Sequence, residues 1–154
     1  MFFVKNIKKS KTFYEKILKQ EVLVDFGRYI GFVGNFGLWQ EDFAIKSIFS
    51  TTKRIQGQRN YSELSFECAE IEKFFEILQK EDIEFIHPIR EQPWGQLVFR
   101  FYDPDRNILE IGEPLSATVL RLYKKGKLID HIAEITTLHR DEIEKILKAH
   151  KEIG

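Results

Sequence analysis

One order of elements, read from the alternation of apolar and polar residues, appears twice in this chain: β-α-β-β-β. The first copy opens with an apolar, β-prone stretch from Met1 to Lys5. Asn6 and Ile7 lead into KKSKTFYEKIL, where Phe13, Tyr14, Ile17 and Leu18 recur at helical spacing and lysines and Glu15 decorate the other side. Three short β-like runs follow, EVLVDFG, RYIGFVG and FGLWQ, divided at Gly27 and at Gly34-Asn35, residues that tolerate positive φ. From Glu41 to Asn60 the pattern loosens into the apolar stretch FAIKSIF and the polar run STTKRIQGQRN, which reads as a connector.

The second copy starts at YSELSFECA, which alternates as a strand does. Ile71, Phe74, Phe75 and Leu78 mark one apolar helix face, and IEFIHPI, GQLVFRFY and NILEIGE supply three further strands. Pro88, Pro93-Trp94-Gly95 and Asp103-Pro104-Asp105 provide the turns. A duplicated unit of this kind lets two curved half-sheets close around shared space. The expected architecture is therefore α+β: two tandem βαβββ modules, residues 1–45 and 60–113, forming an open curved-sheet cleft, followed by C-terminal helices over residues 114–154.

Composition narrows the function classes. A chain of 154 residues can bury its own core, and its 43% hydrophobic and 31% charged residues are those of a folded domain. Lys+Arg and Asp+Glu are equal at 24 each, so no global field draws in nucleic acid or an anionic membrane. The single cysteine, Cys68, fits a reducing compartment, and MFFVKNIKKSK lacks the apolar core of a signal peptide, so the cytoplasm is expected. No apolar run approaches a membrane span, and no membrane partner is expected.

The segment QPWGQLVFRFYDPDRNILEIGE resembles the last two strands of the vicinal oxygen chelate superfamily of glyoxalases, bleomycin resistance proteins and dioxygenases. There Pro-Trp-Gly precedes a strand ending in Asp-Pro-Asp-Gly-Asn, and a metal-binding Glu follows. NIKKSKTFYEKIL is similar to the superfamily's first helix through Ser10, Phe13, Tyr14 and Leu18. The resemblance covers residues 1–113 and implies the same fold. Arg106 stands where the family usually has glycine, which predicts an altered turn or strain at Arg106, and Asn107 tolerates the left-handed conformations that re-aim the chain into the last strand.

The resemblance also raises a divalent metal as candidate cofactor. Strand alternation puts Ile108, Glu110 and Gly112 on one face and Leu109 and Ile111 on the other, and likewise separates Glu63, Ser65 and Glu67 from Leu64, Phe66 and Cys68. Glu110 matches the family's last ligand, and Glu63 falls where relatives place a histidine. Two carboxylates suit Mg²⁺, Mn²⁺ or Ca²⁺. The family's first-strand ligand would precede Met1, and its fourth-strand ligand falls on Trp39 or Gln40, so the implied site is incomplete. None of the four histidines matches a ligand: His87 is expected on a turn before Pro88, and His131, His139 and His150 lie in the extension.

Trp39, Gln40, Trp94, Phe99, Arg100 and Tyr102 are the candidate pocket residues. Large aromatics with a few polar groups line small-molecule sites, although aromatics at strand spacing also build cores. Arg100 can pair with an anionic ligand or with a cleft carboxylate.

Beyond Pro114 three helices are expected, in ATVLRLYKKG, KLIDHIAEITTL and HRDEIEKILKAH, with Gly126 ending the first. LIDHIAEITTLHRDEIEKIL resembles a resolvase-type helix-turn-helix, yet Asp141, Glu142 and Glu144 stand where a DNA reader needs cations, which disfavours nucleic acid. A lid or dimer contact is expected instead, with Leu120, Leu122, Ile129, Ile132, Ile135, Leu138, Ile143 and Ile146 as its buried stripe. The resulting expectation is a homodimeric protein binding a small, anionic molecule. A divalent-metal-dependent lyase or dioxygenase and a ligand-responsive regulator remain the alternatives.

Overall fold

The computed structural model describes residues 1–49 and 63–153, so the polar connector between the modules lies outside the described residues. The chain forms two compact units. One holds Met1–Glu63 with Tyr102–Ile108, and the other holds Leu64–Phe101 with Leu109–Gly154.

In the first unit the elements are β1 (Phe2–Val4), α1 (Ile7–Lys16), β2 (Val22–Asp25), β3 (Tyr29–Phe32), β4 (Gly37–Gln40) and α2 (Glu41–Phe49). The sheet order is β1-β4-β3-β2, with β1 parallel to β4 and the other pairs antiparallel. Asn6 caps α1, its side-chain oxygen accepting from the Lys9 amide at 3.0 Å. Val4, Ile7, Tyr14, Leu18, Ile30, Phe32 and Leu38 are buried, so α1 and one sheet face supply the core. The stretch FAIKSIF, expected to be loose, belongs to α2. Glu41 and Asp42 in its first turn complement the positive end of the helix dipole, and Ala44 and Ile45 are buried.

The turn Asp103–Asn107 belongs to this unit and is stitched to α1. Asp105 accepts from the Ser10 hydroxyl at 2.9 Å and the Lys5 amide at 3.0 Å. Asp103 accepts from the Tyr14 hydroxyl, the Asn107 amide and side chain, and the Asp105 amide. Burial pushes the Asp103 carboxyl above the ordinary aspartate value, against these hydrogen bonds, and burial beside Asp103 pushes the Tyr14 phenol up. Arg106 takes the left-handed backbone, at φ +66°, while Asn107 donates to Asp103 from both its backbone and its side-chain nitrogen. The Arg106 guanidinium lies 4.3 Å from the centroid of the Tyr102 ring, a cation–π contact available to arginine and not to the family's glycine.

The second unit contains all but one terminal residue each of β5 (Glu63–Glu67), β7 (Leu97–Tyr102) and β8 (Ile108–Gly112), together with α3 (Ile71–Leu78), β6 (Phe85–Glu91), α4 (Leu115–Lys124), α5 (Ile129–Thr136) and α6 (Arg140–Ile153). Its sheet order, β5-β8-β7-β6, repeats the order of the first sheet element for element. Phe74 and Phe75 of α3 pack on Phe99, and Phe85 and Phe101 join the same aromatic cluster. The three C-terminal helices have their own core of Val119, Leu122, Ile132, Ile143 and Leu147. The remaining residues of the expected stripe are partly buried around it. Gly126 follows α4 at φ +80°, with the Lys127 amide on the Leu122 carbonyl and its own amide on the Tyr123 carbonyl, the paired bonds that close a helix C-terminus.

Two contacts fix these helices to the second sheet. A Cβ on Gly95 would stand 2.8 Å from Ile135 Cγ2 and 3.3 Å from Leu122 Cδ1, so the Pro-Trp-Gly turn lies against α4 and α5. Glu113, 3% exposed, accepts from the Leu97 amide at 2.9 Å, the Thr118 hydroxyl at 3.0 Å and Arg121 Nε at 3.0 Å. Arg121 also donates to Glu91 and to the Gly95 carbonyl.

Candidate functional site

Each sheet turns one face away from its first helix, and there the chemistry concentrates. In the first unit that face is aromatic. Phe3 and Tyr29 both pair with Trp39 across the strands, with ring centroids 6.4 and 6.3 Å from the indole. Phe26 stacks on Tyr29 at 6.2 Å and Phe43 lies edge-on to Trp39 at 6.2 Å. Gly31 and Gly37 are register partners, and the Tyr29 hydroxyl oxygen lies 3.1 and 3.2 Å from where their Cβ atoms would stand. The two absent side chains leave room for the tyrosine ring to lie along the sheet.

In the second unit the corresponding face is polar. Ser65 on β5, Glu110 on β8, Arg100 on β7 and His87 on β6 form a row across all four strands. The Ser65 hydroxyl donates to Glu110 Oε1 at 2.8 Å, and Arg100 Nη2 donates to Glu110 Oε2. The Arg100 and Glu110 side chains are 20% and 14% exposed, so the ion pair is shielded on most sides. Arg100 Nη1 stands 3.3 Å from His87 Nε2.

His87 reaches this row through an irregularity in β6. Phe85 pairs with Phe101 but His87 pairs with Arg100, so two steps along β6 match one step along β7. Strict alternation would send His87 to the same side as Phe85, into the phenylalanine cluster. The extra residue instead re-aims it to the side of Arg100, as bulges do. Pro88 follows within the strand, where the sequence suggested a turn; β6 is the sheet edge, which tolerates a residue without an amide donor.

Of the residues nominated from sequence, the structure brings Arg100 and Glu110 together. Trp39 lies at the centre of the aromatic row. Phe99 is fully buried within the phenylalanine cluster and lines no surface. Gln40 is a structural clamp: its oxygen accepts from the Ile7 amide at 3.1 Å and its amide donates to the Lys5 carbonyl. Trp94, 42% exposed, sits on the β6–β7 turn and donates to Gln96 at 2.7 Å. Tyr102 lies under Arg106, and Glu63 is exposed at the start of β5. Ser65 and His87 were not among the nominated residues, and the structure adds them to the row. Ser65 was legible as a same-face neighbour of Glu63, whereas a bulge leaves no periodic signal.

The donor set does not fit a divalent cation at Glu110. Both its oxygens are engaged, one by a guanidinium whose charge repels a metal ion. Among the described residues no group of three or more His, Cys, Asp or Glu side chains could hold a metal ion.

The glyoxalase-like domain model matches residues 1–116. A protein of unknown function from Agrobacterium tumefaciens str. C58 is 36% identical, with a TM-score of 0.68 over 74% of this chain and 90% of that one. Lactoylglutathione lyase from Agrobacterium tumefaciens is similar in fold at 17% identity, with a TM-score of 0.57 over 73% of this chain and 88% of that one. The fosfomycin resistance protein FosX from Mesorhizobium loti is similar at 19% identity and a TM-score of 0.51, over 73% and 86%. The repeated βαβββ order, the two four-stranded sheets of equivalent strand order and the match across residues 1–116 together make this chain a member of the glyoxalase-like domain family.

Proposed function

We propose that this protein binds a small anionic molecule, and that Arg100 rather than a metal supplies the positive charge that recognises it. The observation carrying this reading is the row Ser65–Glu110–Arg100–His87. Glu110 and His87 hold the guanidinium in one orientation, and a guanidinium is planar and permanently charged, matched to carboxylate and phosphoryl oxygens. Pre-positioning it lowers the ordering cost that a ligand would otherwise bear. Cytoplasmic placement and a homodimer belong to the same reading, supported by the cysteine-poor composition and by the habits of the family.

The test is ligand-observed NMR with pyruvate, oxalate and inorganic phosphate, on protein whose metal content is known by elemental analysis. Saturation transfer to at least one anion, unchanged by EDTA and lost in Arg100→Met, is expected. Near-stoichiometric metal that disappears in a Glu63→Ala, Glu110→Ala double variant would replace this reading with that of a metal-dependent lyase or dioxygenase.

A further inference from the structure

We infer that the groove between α3 and α4 is a second small-molecule site, and that it takes a zwitterion: an ammonium and a carboxylate carried on a small apolar body. It lies apart from the Arg100 row, because α3 packs on Phe99 and strand alternation turns Phe99 and Arg100 to opposite faces of β7.

The groove exists because α4 presents two faces. Thr118, Val119 and Leu122 are buried in the fold. Ala117, Leu120, Arg121 and Lys124 recur at helical spacing along a different stripe, and all four line a groove of about 460 Å³. The far wall comes from the start of α3, through Ala69 and Glu72. Alanine at 69 and at 117 leaves open the space that larger side chains would fill, and the volume is that of a small-molecule site.

Charge decides the class of ligand. Arg121 and Glu113 are bound to each other, Nε to carboxylate at 3.0 Å, and Lys125 stands 4.0 Å from Glu91. Among the described residues Glu72 and Lys124 have no such partner, and they carry opposite charges on opposite walls. A bare anion in this space meets the carboxylates of Glu72 and Glu113, and a bare cation meets Arg121, Lys124 and Lys125. A molecule with an ammonium for Glu72 and a carboxylate for Lys124 satisfies both walls, while its apolar part covers Ala69, Ala117 and Leu120. Free amino acids and short peptides with apolar side chains share that chemistry.

The experiment is ligand-observed NMR on the full chain with millimolar leucine and Leu-Leu. Beside them stand N-acetylleucine, which lacks the ammonium, and leucinamide, which lacks the carboxylate. Saturation transfer to leucine, to Leu-Leu or to both is expected, and which of them binds distinguishes a free amino acid from a peptide. Each one-charge analogue should bind more weakly by about fivefold, and Glu72→Gln and Lys124→Met should each weaken the zwitterion by a similar factor. Ala117→Leu fills the groove and should abolish binding, a result that surface charge alone would not give. Lys127→Met, at a lysine outside the lining, and Arg100→Met should leave binding unchanged. Glu72 and Lys124 are exposed, so their variants carry the comparison should Ala117→Leu fail to fold. Failure of both zwitterions to bind, equal binding of the one-charge analogues, or binding undiminished in folded Ala117→Leu overturns the inference. Loss of binding in Arg100→Met overturns it too, by assigning the ligand to the polar row.

Discussion

The two sheets share one strand order and differ in what they show on the face turned away from the helix. In the first, Phe3, Trp39 and Tyr29 run side by side across β1, β4 and β3. At the same strands of the second, Ser65, Glu110 and Arg100 run across β5, β8 and β7, and His87 extends the row to β6. The helix-facing sides stay alike: Leu38 on β4 and Leu109 on β8 are both fully buried. Folding therefore constrains one face of each module to be apolar, and the other face is left for chemistry.

The largest expected effect tests the shared half of this comparison. Leu38→Ala and Leu109→Ala should each cost about 2–5 kcal/mol, as full burial of leucine implies, and by similar amounts. Urea denaturation of the two variants measures it, and a loss confined to one module would end the equivalence of the helix-facing sides.

Next in size is the stitch of the first unit. Asp103→Ala removes the acceptor for four donors, including the buried Tyr14 hydroxyl, and should cost about 2–3 kcal/mol. Asp103→Asn should cost less and should change the pH dependence. The folded carboxyl is raised above its unfolded value, so its contribution is full below the ordinary aspartate range and falls as pH rises through the raised value. Wild type minus Asp103→Asn, from urea midpoints across the acidic range, should decline with rising pH over that window. A flat difference would mean that burial does not perturb this group.

The two rows themselves should respond less. Trp39→Ala opens a half-buried aromatic contact and should cost about 1–2 kcal/mol by thermal denaturation. Replacing Arg100 and Glu110 together by Met and Gln, which removes both charges from the second face, should change stability by no more than about 1 kcal/mol. The pair's mutual attraction is offset by the loss of hydration of both ions. A double variant that retains stability but not anion binding would sharpen the distinction between a structural face and a recognition face. A loss of several kcal/mol would show the ion pair to be part of the fold.

Much of this was legible without coordinates. Period-two alternation around glycine and asparagine turns identified the strands, and period-3.6 patterning identified α1, α3 and the three C-terminal helices. Glu110 and Arg100 were recognisable because alternation assigns each to the polar side of its strand. α2 was not, since in EDFAIKSIF the apolar residues fill most of the helix and leave no distinct polar face for a period to show. The surroundings of Phe99 and Gln40 were not legible for a related reason: pattern says which side a residue faces, and only its partners decide what that side meets.

By itself the sequence determined the duplicated module and the apolar faces on which the sheets fold, because these follow from local periodicity. Tertiary structure alone assembled the candidate row. Hydrogen-bond register set Ser65, Glu110, Arg100 and His87 abreast, and one extra residue in β6 turned His87 from the phenylalanine cluster to the guanidinium. Register depends on the pairing of strands distant in sequence, and a one-residue slip reverses every side chain beyond it.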